Sequence, residues 1–208
     1  MKTRRRSLLG ALFGVATATL IGCAQPARPD LGRLYRTGSQ LPDATPLIVI
    51  AGAFGSKLRD RNSGLEVWPG TATRLLFGEY RDLALDFDPD TLQVKPDALE
   101  AFDITDAALG HDFYGQLLDT LQRFGGYVRS KPGEPAPNGE RRYYVYAYDW
   151  RQDNVESARG LERLIQEIRR DYNDPSLKID IIAHSMGGLI ARYYLRYGPV
   201  EAPRGCAS

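Results

Sequence analysis

A serine becomes a useful nucleophile only where the backbone lifts its Oγ clear of its neighbours and groups stand ready for the charge it creates. Ser185 lies in Ala183-His184-Ser185-Met186-Gly187-Gly188, where an apolar run stops at His184-Ser185 and a helical pattern starts at Met186. Small-X-Ser-X-Gly at such a junction is the signature of a nucleophile elbow, a sharp strand-to-helix turn, with Ala183 in place of the first glycine. The turn brings strand and helix backbones together, so the residues two before and two after the serine must be small. Ala183 and Gly187 meet that need, and Gly188 adds room. The helix N-terminus points its positive end at the serine, which favours developing negative charge. Serine in a strand-to-helix turn is also a common N-cap; the flanking pattern favours the nucleophile. His184 adjoins Ser185, but neighbours on a tight turn point in different directions, so it is not expected to be the base.

A nucleophilic serine also needs N–H donors that form an oxyanion hole. One is expected from Met186, directly after the serine, and the other from the loop after an earlier strand. That loop is Gly52-Ala53-Phe54-Gly55-Ser56, where Ala53 or Phe54 is the expected donor and the glycines let the backbone approach a substrate closely.

These groups need a rigid frame. With 43% hydrophobic and 25% charged residues over 208 positions, the chain can bury one substantial core. Residues 47–51 form a short, continuous apolar run that suits a strand buried on both faces of a parallel sheet. Residues 52–110 read as loop-rich, with Trp68-Pro69-Gly70 near their start. Residues 112–124 read as an amphipathic helix with Phe113, Leu117, Leu118, Leu121 and Phe124 on one face. Residues 143–150 are aromatic and β-branched, hence a strand; residues 155–172 are a second helix, with Val155, Ala158, Leu161, Leu164, Ile165 and Ile168 on its core face. Residues 178–183 are the next strand and 186–197 the next helix. Strands alternating with helices at this spacing predict an α/β fold with a mostly parallel sheet.

Residues 1–22 combine Lys2, Arg4, Arg5 and Arg6 with an apolar stretch from Leu8 to Ile21, which reads as a signal peptide. Its end, Leu20-Ile21-Gly22-Cys23, resembles a bacterial lipobox, so Cys23 is the expected lipid attachment site and membrane anchor of an exported protein. Thr3-Arg4-Arg5-Arg6 also resembles a twin-arginine signal, more weakly. Residues 23–45 read as a tether and 46–208 as the domain. Without the leader, 23 basic residues face 26 acidic ones, a net charge of −3, and no basic patch with interleaved aromatics supports nucleic-acid binding. No cofactor motif is visible. Asp86-Phe87-Asp88-Pro89-Asp90 falls short of a calcium loop, with Thr91 and Asp97 where Gly and Glu belong, so no metal is expected.

Three stretches together, "IVIAGAFGSKL" (48–58), "YAYDWR" (146–151) and "AHSMGGLIARYYL" (183–195), resemble the lecithin:cholesterol acyltransferase family of α/β-hydrolases; "EVWPG" (66–70) and "FYGQLLDTLQRFGGYV" (113–128) fit the same order. The resemblance implies an α/β-hydrolase fold and lipid acyl esters as substrates. The acyl group would pass from Ser185 to water or an alcohol, with 56–110 as lid and cap elements. Trp68, Asp149, Trp150 and Arg151 would be candidates to line the substrate site, or else a packed tryptophan and a loop fixed by hydrogen bonds. The chain departs from the family in having Ala51 where proline usually precedes the glycine, and in lacking cysteines in the lid region.

The triad order in this fold is Ser, then Asp or Glu, then His. After Ser185 the sequence offers one acid, Glu201, and no histidine; the other histidine, His111, precedes the serine and reads as a surface residue. The expectation is therefore the N-terminal part of a longer serine hydrolase, truncated or frame-shifted near residue 198, with its C-terminal strands missing and the nucleophile strand left at a sheet edge. Two alternatives stand beside the lipase or acyltransferase reading: a catalytically inactive lipid-anchored lipoprotein, and a carboxylesterase or thioesterase.

Overall fold

The computed structural model describes residues 45–91, 93–108, 110–136 and 140–200. The leader, Cys23, most of the tether, Glu201 and Cys206 lie outside the described residues. A four-stranded sheet runs in the order β7-β8-β1-β9, where β1 is Leu47–Ile50, β7 Val128–Arg129, β8 Arg142–Tyr146 and β9 Asp180–Ala183. All its pairings are parallel, with Ile48 beside Tyr144 on one side and Ile181 on the other. This is the α/β-hydrolase arrangement.

The apolar run of β1 divides by alternation. Ile48 and Ile50 face one layer with Tyr144, Tyr146, Ala158, Leu161, Ile165, Ile168 and Ile190. Leu47, Val49 and Ala51 face the other with Leu118, Leu121 and Tyr143. Both faces of β1 are covered, which is why the strand carries no polar residue. The first layer is built by α3 (Asn154–Asp171) and α4 (Met186–Tyr197), the second by α2 (Gly115–Arg123). Buried tyrosines spend their hydroxyls within this frame: Tyr146 donates to the Ser157 carbonyl at 2.6 Å and Tyr148 to the Ala51 carbonyl at 2.9 Å. Burial pushes both phenols well above the ordinary tyrosine range. Strand β9 is an edge among the described residues, and Ile182 on it is 37% exposed.

Residues 52–110 are more ordered than the sequence suggested. Strands β2 (Ser56–Asp60), β3 (Glu66–Trp68) and β4 (Leu99–Ile104) form an antiparallel sheet in the order β3-β2-β4. The segment also holds α1 (Ala72–Phe77), a short 3-10 turn at Arg81–Leu83, and the two-residue strand β5 (Ala107–Ala108), which pairs with β6 (His111–Asp112). Helix α2 is shorter than the 112–124 expected. Asp112 is in a strand, Tyr114 is the N-cap, and Phe113 is 60% exposed instead of facing the core. The Asp106 carbonyl accepts the N–H groups of Phe113, Tyr114 and Gly115, and that cap sets the start. No described helix is long and apolar enough to cross a membrane.

Candidate active site

Only His184 and Ser185 separate β9 from α4, and Ser185 is the residue directly before the helix. It has φ 51° and ψ −122°, a backbone conformation that costs a non-glycine residue on the order of 1–3 kcal/mol. The strain is held from both sides. His184 N–H donates to the Ile50 carbonyl at 3.0 Å, and the His184 and Ser185 carbonyls accept from Gly187 and Gly188 at 2.9 and 2.8 Å. A methyl group on Gly187 would lie 2.4 Å from the Ala51 carbonyl oxygen, so the small residue there is a strict steric need. Gly188 differs from expectation, because a methyl group on it would meet nothing within 4 Å. Ser185 is exposed, and its side chain makes no capping hydrogen bond, so it does not act as an ordinary N-cap.

The loop from Gly52 to Ser56 lies against this corner: a methyl group on Gly52 would sit 3.0 Å from Ser185 Cβ and 3.1 Å from His184 Nδ1. Gly55 N–H closes a turn onto the Gly52 carbonyl at 3.0 Å, with positive φ at Phe54 (62°) and not at Ala53. That is the sign pattern of a type II turn, whose third position ordinarily favours glycine. Four hydrogen bonds from three other segments offset the strain. Trp68 Nε1 donates to the Phe54 carbonyl at 2.8 Å and Trp150 Nε1 to the Ser56 carbonyl at 3.1 Å. Thr105 N–H donates to the Gly55 carbonyl at 2.8 Å, and Tyr148 N–H to Ser56 Oγ at 3.2 Å. Among the described residues, no acceptor takes the N–H of Ala53, Phe54 or Met186.

The sequence candidates around this loop separate into two groups. Phe54, Trp68 and Trp150 form an aromatic cluster, with ring centres 4.5 Å apart for Phe54–Trp150 and 5.5 Å for the other two pairs. Phe54 is 57% exposed at its outer side. Asp149 and Arg151 instead form a buried link. The Arg151 side chain is 3% exposed and pairs with Asp149 at 2.6 Å and Asp97 at 2.8 Å. Burial opposes its charge, yet the hydrogen bonds to Asp149 and Asp97 outweigh it and raise its pKa.

Sequence reasoning missed Tyr114. Its hydroxyl accepts the Gly52 N–H at 2.8 Å and stands 2.8 Å from His184 Nδ1, joining the loop to the elbow. The clue was the tyrosine's position at a helix start, obscured by the apolar period around it. His111 lies on β6 as the register partner of Ala108. Two clefts of about 760 and 910 Å³ open elsewhere; neither is lined by the elbow or the Gly52–Gly55 turn. A cleft of about 500 Å³ beside the β9 edge is lined by Ala183, Gly188, Ala191 and Leu195. No group of three or more His, Cys, Asp or Glu among the described residues could hold a metal ion, and the Asp88 carboxylate is spent on the Asp90 and Thr91 N–H groups of its own turn.

No curated protein matches the chain. The family model for lecithin:cholesterol acyltransferase matches residues 85–202, more than half of the sequence, from before β4 through the elbow and α4. With a parallel α/β sheet feeding a strained serine corner, the chain belongs to the lecithin:cholesterol acyltransferase family.

Proposed function

We propose that the chain carries the acyl-transfer centre of a lipid-ester lipase or O-acyltransferase, with Ser185 as nucleophile. Family membership supports acyltransferase- or esterase-like chemistry on lipid esters. The single observation that carries the serine's role is its strained φ of 51° at an exposed strand-to-helix corner. In this reading Ser185 Oγ attacks the ester carbonyl carbon, the carbonyl π pair moves onto oxygen, and the N–H groups of Met186 and of Ala53 or Phe54 receive that oxyanion. Oγ gives up its proton in the attack, and the leaving oxygen takes one up as collapse expels the alcohol and leaves an acyl-serine; water or a second alcohol then takes the acyl group. The aromatic cluster of Phe54, Trp68 and Trp150 offers apolar surface for the acyl chain.

A fluorophosphonate probe tests the serine. Wild-type protein is expected to label at Ser185, and Ser185→Ala to lose labelling completely; folded wild-type protein that stays unlabelled would favour the inactive lipoprotein reading. Faster turnover of short than of long p-nitrophenyl esters would favour a carboxylesterase over a lipase. A second expectation concerns the proton. No described side chain hydrogen-bonds Ser185 Oγ, so its acceptor is solvent or a group outside the described residues. Added imidazole is therefore expected to raise the labelling rate of the 208-residue protein several-fold, well short of the roughly 10²–10⁴-fold that a positioned general base supplies. A rate that ignores imidazole while rising with pH would show that a base is already in place.

A further inference from the structure

We propose that Tyr114 is a positioning residue that pins the oxyanion loop to the nucleophile elbow, an inference that rests on Ser185 being the nucleophile. The phenol oxygen accepts the Gly52 N–H at 2.8 Å, and 2.8 Å away lies His184 Nδ1. Oη commits one lone pair to Gly52 and retains its own proton; in the proposed arrangement that proton is donated to Nδ1, with the imidazole proton on Nε2. One oxygen thereby joins the first residue of the turn that presents Ala53 and Phe54 to the residue that precedes Ser185.

Nothing else can take this place cheaply. Gly52 is buried, and the Tyr114 hydroxyl is the acceptor that satisfies its N–H. It packs so close to Ser185 Cβ and His184 Nδ1 that a change in its peptide plane changes the gap between loop and elbow directly. Tyr114 is itself fixed. Its N–H is one of the three held by the Asp106 carbonyl, its carbonyl accepts Leu118 N–H at 3.0 Å, and its ring packs on the core layer of Leu118 and Leu121. Its ring edge also closes on Gly55, the other end of the turn, where a methyl group would meet Tyr114 Cε2 at 3.1 Å. The His184 and Tyr114 rings meet edge to face at 5.8 Å. Tyr114 therefore sets a distance that the oxyanion needs, without touching the reacting atoms.

The test uses the full chain, a fluorophosphonate as probe and p-nitrophenyl butyrate as substrate. Tyr114→Phe is expected to slow labelling of Ser185 about tenfold or more, a size consistent with misplacing one oxyanion donor. It is expected to lower kcat by a similar factor at nearly constant KM, and to speed hydrogen exchange at the Gly52 amide. His184→Ala is expected to slow labelling, and His184→Asn, whose Oδ1 stands where Nδ1 stood, to recover most of the rate. Tyr114→Phe that labels at the wild-type rate overturns the proposal, even if Gly52 exchanges faster, because the tyrosine is then only structural. His184→Asn no better than His184→Ala also overturns it, and that pair decides alone should Tyr114→Phe fail to fold. Wild-type protein that does not label removes the nucleophile reading and this inference with it, an outcome distinct from labelled wild type with an indifferent variant.

Discussion

Gly187→Ala is expected to lower the melting temperature by about 10 °C and to abolish reaction at Ser185, while Gly188→Ala, one residue on, is neutral or slightly stabilising. Both positions lie in the first turn of α4, where alanine gains up to about 1 kcal/mol in helix propensity over glycine. At Gly188 nothing opposes that gain, because the added methyl group meets no atom within 4 Å. At Gly187 it would lie 2.4 Å from the Ala51 carbonyl oxygen, 2.8 Å from Ile50 Cγ2 and 2.9 Å from the Ile50 carbonyl oxygen. Those carbonyls cannot retreat: Ile50 accepts His184 N–H and Ala51 accepts the Tyr148 hydroxyl, and β1 is an interior strand, paired on both sides. Overpacking costs about 1–3 kcal/mol, and each backbone hydrogen bond disrupted adds about 1. The sum, roughly 3 kcal/mol net of propensity, corresponds to about 10 °C for a domain of this size. The helix must lift from β1, and Ser185 moves with it. Thermal unfolding and fluorophosphonate labelling of the two variants side by side decide the matter; equal melting temperatures would show that the elbow is loosely packed.

The same contact explains why the elbow was legible in the sequence. A steric need confined to one turn leaves a local trace: a small residue, a serine and a glycine at fixed offsets. Strand β1 and helix α3 were legible for a related reason, since each buries a continuous or periodic set of apolar residues, Leu47 to Ile50 and Ala158 to Ile168. The antiparallel sheet was not. In β2 the buried positions are Ser56 and Leu58, one polar and one apolar, so alternation gives almost no signal. Its stability comes from pairing with β3 and β4, whose partners lie up to 48 positions away, as Ser56 does from Ile104. Tyr114 was hidden differently. It sits within a run that reads as helix, and the Asp106 carbonyl that ends the helix before it belongs to a separate segment. Around Ser185, then, the residue that reacts was visible in local pattern, whereas the residues that hold its surroundings were not, because their partners are distant in sequence.

Arg151→Met is the second large effect expected, and it separates scaffold from substrate contact within Asp149-Trp150-Arg151. The guanidinium donates to both Asp149 carboxylate oxygens, at 2.9 and 2.6 Å, pairs with Asp97 at 2.8 Å and reaches the Leu83 carbonyl at 3.4 Å. It therefore ties the turn after β8 to the segment that leads into β4 and to the end of the 3-10 turn. Methionine replaces the stem but leaves two carboxylates without their cation. Breaking a buried pair from one side costs about 3–5 kcal/mol. Asp97, at 31% side-chain exposure, recovers part of its hydration, so the expected loss is nearer the lower figure. Asp149, at 16%, recovers little. The destabilisation should fall first on residues 83–97, since their described tie to the core through Arg151 is gone. Limited proteolysis is expected to cut there before the rest of the domain unfolds. Trp150 continues to hold the Ser56 carbonyl from the neighbouring position, so protein that remains folded should label at Ser185 at close to the wild-type rate. Full stability together with slow labelling would reverse the assignment and make Arg151 a substrate contact; loss of stability with labelling retained in the folded fraction identifies it as the fastening of the segment that precedes β4.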